Sequence, residues 1–141
     1  MKSYKNVDPS LLDYIPNPSS LSYENKISIP EFTFIGNPEQ PDFGRIYITF
    51  YARERVIELK SLKKYFLQYR DVHISYERLI NLVYDHLMGT YDPVRLRVVM
   101  EFYPRGGISS RMVVDSDWHD RGGEARYYPY ESGKEWAGLF S

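Results

Sequence analysis

Cysteine is absent from all 141 residues. That absence removes disulfides, thiolate metal sites and every mechanism built on a sulfur nucleophile. Long apolar runs are missing too, since no stretch approaches the ~18–20 residues a membrane span needs. The opening Met1-Lys2-Ser3-Tyr4-Lys5-Asn6 has no apolar core behind it of the kind a secretory leader carries, so the expected location is cytoplasmic. An excess of either charge is also lacking: the formal net charge is −1, which argues against a general polyanion binder. Histidine is scarce, and His73, His86 and His119 lack metal-ligand spacing with one another, so no metal is expected.

With 43% hydrophobic and 26% charged residues, the chain has an ordinary globular composition and a length that fits one domain. Tyrosine is abundant at 14 residues, which suggests half-buried surfaces such as subunit contacts, where one end of the ring is apolar and the other wet.

Along the chain, residues 1–25 hold Pro9, Pro16 and Pro18 among Ser, Asn and Asp and are predicted to form an extended arm with a turn near Ser10–Tyr14. Lys26–Ile29 alternates, and so does Ile46–Tyr51, which puts Ile46, Ile48 and Phe50 on one face of a strand. Gly36–Asp42 between them has a loop composition, and Arg55–Glu58 continues in a strand register. A helix follows over Leu59–Tyr69 with Leu59, Leu62, Phe66 and Leu67 as its apolar stripe. Ser75 is the N-cap of a second helix striped by Leu79, Leu82, Val83 and Leu87 and ended by Gly89 and Pro93. Leu96–Phe102 and Ser110–Val114 then pair through a turn at Pro104-Arg105-Gly106-Gly107. From Asp115 onward the periodicity stops. The expectation is an arm (1–25), one domain (26–115) and an irregular tail (116–141), with the cluster Asp115, Asp117, His119 and Asp120 at their junction read as mostly solvated. The order ββααββ is most simply an α+β fold, a four-stranded antiparallel sheet with both helices on one face, whose open edges association of several subunits into a barrel would cover.

Several segments carry more than composition. Glu58-Leu59-Lys60-Ser61-Leu62-Lys63-Lys64-Tyr65, Pro30-Glu31-Phe32-Thr33, Gln40-Pro41-Asp42-Phe43, Glu77, Pro104-Arg105-Gly106-Gly107 and Leu12-Asp13-Tyr14-Ile15-Pro16-Asn17 fall in the order found in one family. From about Asp8 to Ser109 the chain resembles QueF, the T-fold nitrile reductases of queuosine synthesis. The resemblance implies a T-fold (tunnelling fold), a homo-oligomer with sites at subunit interfaces, the cofactor NADPH, and reduction of the nitrile of the deazaguanine base preQ0 to preQ1. In that chemistry a cysteine thiolate adds to the nitrile, because a nitrile carbon accepts hydride poorly until a soft nucleophile has added, and an acid protonates the nitrogen.

Carried over by this resemblance, Asp42 is the general acid and Glu77, with Tyr76 before it, meets the guanine-like edge of the base. Glu58 and Ser61 border the substrate, and Lys60, Lys63 and Arg105 are candidates for NADPH phosphates. Two departures are specific. The cysteine's position falls near Gly36, in a loop one residue shorter, and the residue before the base-binding Glu is Tyr76 where the family carries His. Each of these residues also has a plain reading: Asp42 as a turn residue, Glu77 as a favourable charge in a helix's first turn, and the lysines as a solvated helix face.

Three functions are therefore open: a preQ0 reductase lacking its thiolate, a non-catalytic base-binding subunit or partner of a cysteine-bearing paralogue, and an enzyme like the archaeosine synthases, which act on tRNA. Net charge offers no basic face for the last, so direct tRNA binding is not expected.

Overall fold

The computed structural model describes residues 2–118. In chain order the elements are strands β1 (Lys2–Ser3), β2 (Tyr14–Pro16), β3 (Asn25–Gly36), β4 (Gln40–Tyr51) and β5 (Arg55–Ile57), helix α1 (Leu59–Leu67), strand β6 (Val72–His73), helix α2 (Tyr76–Tyr91), and strands β7 (Arg95–Arg105) and β8 (Ile108–Asp115). Short 3-10 turns lie at Tyr4–Asn6, Pro9–Leu11 and Gln68–Asp71.

Four long antiparallel strands, β3, β4, β7 and β8 in that order, carry the fold, as the ββααββ reading expects. The sheet is nevertheless six-stranded, because β6 and then β1 extend it in parallel beyond β3. Two-residue strands are too short to show a period of two, so nothing in the sequence announces them. The expected loop at 36–42 is also smaller. β3 runs to Gly36 and β4 starts at Gln40, leaving a tight hairpin turn over 37–39. A bulge between Ile29 and Phe32, at Pro30-Glu31, breaks the alternation of β3 and hides its length.

β4 presents Ile46, Ile48 and Phe50 to the core at 1% exposure or less, and α2 supplies Leu79, Val83 and Leu87 at 0%. The stripe of α1 is displaced from the expected one: Leu62 and Phe66 are buried with Tyr65, whereas Leu59 and Leu67 face outward. The tyrosines divide as well. Tyr65, Tyr69 and Tyr91 are fully buried core residues and not surface rings. The Tyr65 hydroxyl lies 2.7 Å from the Tyr69 hydroxyl and 2.7 Å from His86 Nδ1, so the three polar tips satisfy one another. Burial pushes both phenols up and lowers His86.

Helix ends follow local chemistry. The Ser75 side chain accepts from the Arg78 amide and opens α2. At the other end Gly89 stays inside the helix, which continues to Tyr91. Asp92 takes the left-handed conformation (φ 45°) that closes it, one residue before Pro93. The turn joining β7 to β8 places Gly106 and Gly107 at φ 59° and 79°, the pair of positive angles a two-residue hairpin turn with the sheet's own twist requires.

The arm is anchored. β2 pairs antiparallel with β5 in a separate two-stranded ribbon, so Arg55–Ile57 serves the arm and not the main sheet. The Ser61 hydroxyl accepts from the Asp13 amide at 2.9 Å and lies 2.7 Å from the Glu58 carbonyl, while Tyr91 donates to the Asp13 carbonyl at 2.8 Å. Ser61→Ala strands a partly buried amide and should cost about 1–2 kcal/mol. Urea denaturation reads that loss, together with faster proteolysis of the arm; an unchanged midpoint would show that the arm does not need this bond.

Asp115 lies at the end of β8 and is 1% exposed, not part of a solvated tail. Its Oδ2 receives Arg95 at 2.8 Å and Arg97 at 3.0 Å, both from β7, and both arginines are 1% exposed. Asp117 is half-buried and its amide donates to Asp115 Oδ1 at 3.0 Å, while His119 and Asp120 lie outside the described residues.

Candidate base-binding site

The two hairpin turns of the main sheet and the start of α2 enclose an open pocket of about 550 Å³. Gly36, Asn37 and Asp42 come from the β3–β4 hairpin, Arg105 from the β7–β8 hairpin, and Tyr76 and Glu77 from the first turn of α2. Asp42, on the helix-facing side of β4, is 3% exposed and forms the floor. Its Oδ2 accepts from Arg105 Nη1 at 3.0 Å and from the Tyr76 hydroxyl at 3.2 Å. Arg105 spends its other contacts on the same hairpin, donating to the Asn37 carbonyl at 3.2 Å and to Gln40 Oε1 at 3.1 Å. His73 Nε2 also meets the Asn37 side chain. Tyr76 stacks on Phe102 with centroids 3.9 Å apart and planes at 1°, and Phe34 meets its ring edge-on. Burial raises the Tyr76 phenol, and the Asp42 charge beside it acts in the same direction.

Gly36 explains itself here. A Cβ built on it would fall 2.0 Å from Asp42 Oδ2 and 3.2 Å from Arg105 Nη1. The Asp42 carboxylate therefore stands where a side chain at position 36 would begin, and any residue larger than glycine there requires Asp42 to shift.

At the rim, Glu77 is exposed, and its carboxylate makes no hydrogen bond or ion pair to any described residue. Five residues named from the sequence, Gly36, Asp42, Tyr76, Glu77 and Arg105, thus line one pocket. The others do not join them. Glu58 caps α1, accepting from the Ser61 amide at 2.6 Å and the Lys60 amide at 3.2 Å, and the Ser61 amide leads in lowering its pKa. Lys60 and Ser61 line a second pocket with Glu58, Asp13 and Lys64. Lys63 lines a third, an apolar groove between α1 and β3. The partners of Arg105, Asn37 and Gln40, were not named as site residues, although Gln40 opens the Gln40-Pro41-Asp42-Phe43 motif; they lie more than sixty positions from Arg105, and only the two adjacent hairpins bring them near.

Comparison with known proteins gives this geometry a context. A family profile described as QueF-like protein matches residues 41–121. This chain belongs to the QueF-like family. NADPH-dependent 7-cyano-7-deazaguanine reductases of Gloeobacter violaceus (38% identical over 115 residues, 78% of this chain and 80% of the relative), Wolinella succinogenes (34% over 113 residues, 79% and 91%) and a Nostoc species (43% over 104 residues, 70% and 74%) are similar to it. The crystal structure of an archaeosine synthase QueF-Like in the apo form superposes with a TM-score of 0.61 over 65% of this QueF-like chain and 91% of the other. At 16% identity that likeness establishes the shared T-fold alone.

Proposed function

We propose that this QueF-like chain binds a 7-deazaguanine base of the 7-cyano-7-deazaguanine type without covalent activation. The observation that carries the reading is the exposed Glu77 carboxylate at the rim of the Asp42–Tyr76–Arg105 pocket. A carboxylate with both oxygens open accepts two N–H donors side by side, which is what the guanine-like edge of such a base offers. The stacked Tyr76–Phe102 rings give the pocket an apolar aromatic wall beside it.

The relatives' names include NADPH, whose reduced nicotinamide supplies hydride. The residues here do not fit that step. Asp42 Oδ2 and Arg105 Nη1 crowd Gly36, the position to which the resemblance assigns the missing nucleophile, and the Ser75 oxygen accepts from the Arg78 amide at the start of α2. The cations considered for NADPH phosphates are also divided, Arg105 lying in an ion pair with Asp42 while Lys60 and Lys63 line two other pockets. No reductive step is assigned to this chain.

The separation of Glu58, Lys60 and Ser61 from the Asp42 pocket supports a site completed by a second copy, and the outer strands β1 and β8 of the sheet offer edges for such pairing.

Calorimetric titration with 7-cyano-7-deazaguanine tests the reading. Saturable binding is expected, weakened about tenfold to a hundredfold in Glu77→Gln, which trades a charged acceptor for one that also donates. An absorbance assay with NADPH on the same sample is expected to show no consumption. Sustained base-dependent consumption would show that the nitrile is reduced without a thiolate, and unchanged affinity in Glu77→Gln would remove Glu77 from the site.

A further inference from the structure

The arm touches both helices on its way to β2. The Arg78 guanidinium of α2 sits 4.4 Å over the Tyr4 ring, and Asp13 accepts from Tyr91 of α2 and donates to Ser61 of α1. Between these points Val7 and Leu12 are buried in the core. Asp8 and Gln68 exchange two hydrogen bonds, 2.8 Å from the Asp8 amide and 3.1 Å back to its carbonyl. Gln68 also donates to the Tyr65 carbonyl at 3.0 Å, which ties the arm to the residue at the centre of the Tyr69–Tyr65–His86 chain. His86 itself lies on α2 between Arg78 and Tyr91 and is half-buried.

Proton counting fixes the state of that chain. It has two links, from hydroxyl to hydroxyl and from the Tyr65 hydroxyl to His86 Nδ1, and none of the three atoms has another hydrogen bond to a described residue. Two phenol protons fill two links when His86 is neutral and carries its proton on Nε2. Tyr69 then donates to Tyr65, and Tyr65 donates to Nδ1. A proton on Nδ1 makes three protons for two links. One donor is then stranded beside Tyr65 and Tyr69, both 0% exposed. The groups facing His86 are Tyr65 from α1, with Tyr69 behind it, Asp8 from the arm and Asp85 from α2. Burial opposes charging the ring and outweighs the pull of both carboxylates, so its pKa is held below the usual 6.5.

We propose that the chain Tyr69–Tyr65–His86 is an acid-sensitive latch for the arm. Protonation of Nδ1 strands a donor while the arm is docked, and lifting the arm admits the water that accepts it. Lifting also withdraws Ser10, Leu11 and Asp13 from the pocket they share with Glu58, Lys60, Ser61 and Lys64. The docked arm lowers the His86 pKa, so the latch is fully closed above the ordinary 6.5 and weakens as pH falls through the docked value. Asp8, held below 3.8 by the Ser10 side chain, and Glu58, held below 4.5 by the Ser61 amide, stay charged in that window.

The test is amide hydrogen exchange in the full chain, read by NMR as protection factors between about pH 7.5 and about pH 5, the range in which histidine titrates. Protection of the Asp8 and Asp13 amides is expected to fall at least about tenfold over this range, the loss that one stranded donor brings. His86→Gln offers Tyr65 a carboxamide oxygen and cannot titrate, so its protection should stay level. That variant keeps His73, which pairs with Ser3 in the arm. An equal fall in His86→Gln assigns the effect to another group and overturns the latch, as does level protection in the wild-type chain. The imidazole nitrogen shifts need no variant: a proton on Nε2 at about pH 7.5 is expected, and a proton on Nδ1 there overturns the count.

Discussion

Replacing Asp115 with alanine is expected to destabilise the fold by about 3–5 kcal/mol, the largest effect of any single side chain considered for this protein. The carboxylate is shared by Arg95 and Arg97, which flank it on β7, and all three are 1% exposed. Bringing charges out of water is costly, and the arrangement is tolerable because the anion and its hydrogen bonds offset that cost. Removing the anion leaves two guanidinium groups in a low-dielectric setting that it had compensated. Against the ~5–15 kcal/mol that holds a typical domain together, such a loss unfolds a large share of the population at modest urea concentrations. Asp115→Asn keeps an acceptor and loses the charge, so it should fall between wild type and Asp115→Ala. A loss under ~1 kcal/mol for the alanine variant would mean that the triad is electrostatically idle.

The same group predicts a pH dependence. Burial alone would push Asp115 up, but hydrogen bonds from Arg95, the Asp117 amide and Arg97 outweigh it, and the net shift is below the usual 3.8. A carboxylate with a depressed folded pKa contributes stability that is complete above its unfolded value and fades as pH falls through the folded one. The gap in stability between wild type and Asp115→Ala should thus be full at neutral pH and shrink only below about the ordinary carboxylate pKa of 3.8. A gap already closing near pH 6 would assign the effect to some other group.

Gly36→Ala and Gly36→Cys should each destabilise the protein by about 1–3 kcal/mol, the range seen for overfilled positions. The Cβ would lie 2.0 Å from Asp42 Oδ2, so Asp42 has to give way and release Arg105 and Tyr76. The decisive measurement is a double-mutant cycle by urea denaturation. In an Asp42→Ala background the space is already vacant, and the cost of Gly36→Ala should largely disappear, giving a coupling of at least ~1 kcal/mol. Additive costs would show that Asp42 and residue 36 do not compete for one volume. A practical consequence follows for restoring the family's cysteine. Gly36→Cys alone should yield no base-dependent NADPH consumption, because its Cβ already collides with Asp42 Oδ2 and the side chain fits only if Asp42 moves.

Much of the fold was legible because the long elements are periodic. Ile46, Ile48 and Phe50 alternate in sequence and share a buried face, and Ser75 opens α2 with the bond its residue type suggests. Legibility failed where a period is broken or too short. The bulge at Pro30-Glu31 ended the expected strand at Ile29, β1 and β6 span two residues each, and Asp115 looked like the first residue of a polar tail. Of the site, the residue types were visible, yet their division among three pockets was not, since Lys60 and Lys63 are three positions apart and face different surroundings.

What the sequence determined by itself was the kind of protein: no thiol chemistry, a ββααββ order and the motif string of the QueF-like family, all consequences of residue identity and local period. The tertiary structure alone decided the surroundings of Gly36. Two hairpins more than sixty residues apart in sequence meet at one sheet end, and Arg105 there draws Asp42 into the volume beside Gly36. Local sequence cannot specify such a contact, because its energy comes from groups that become neighbours only once the sheet has formed.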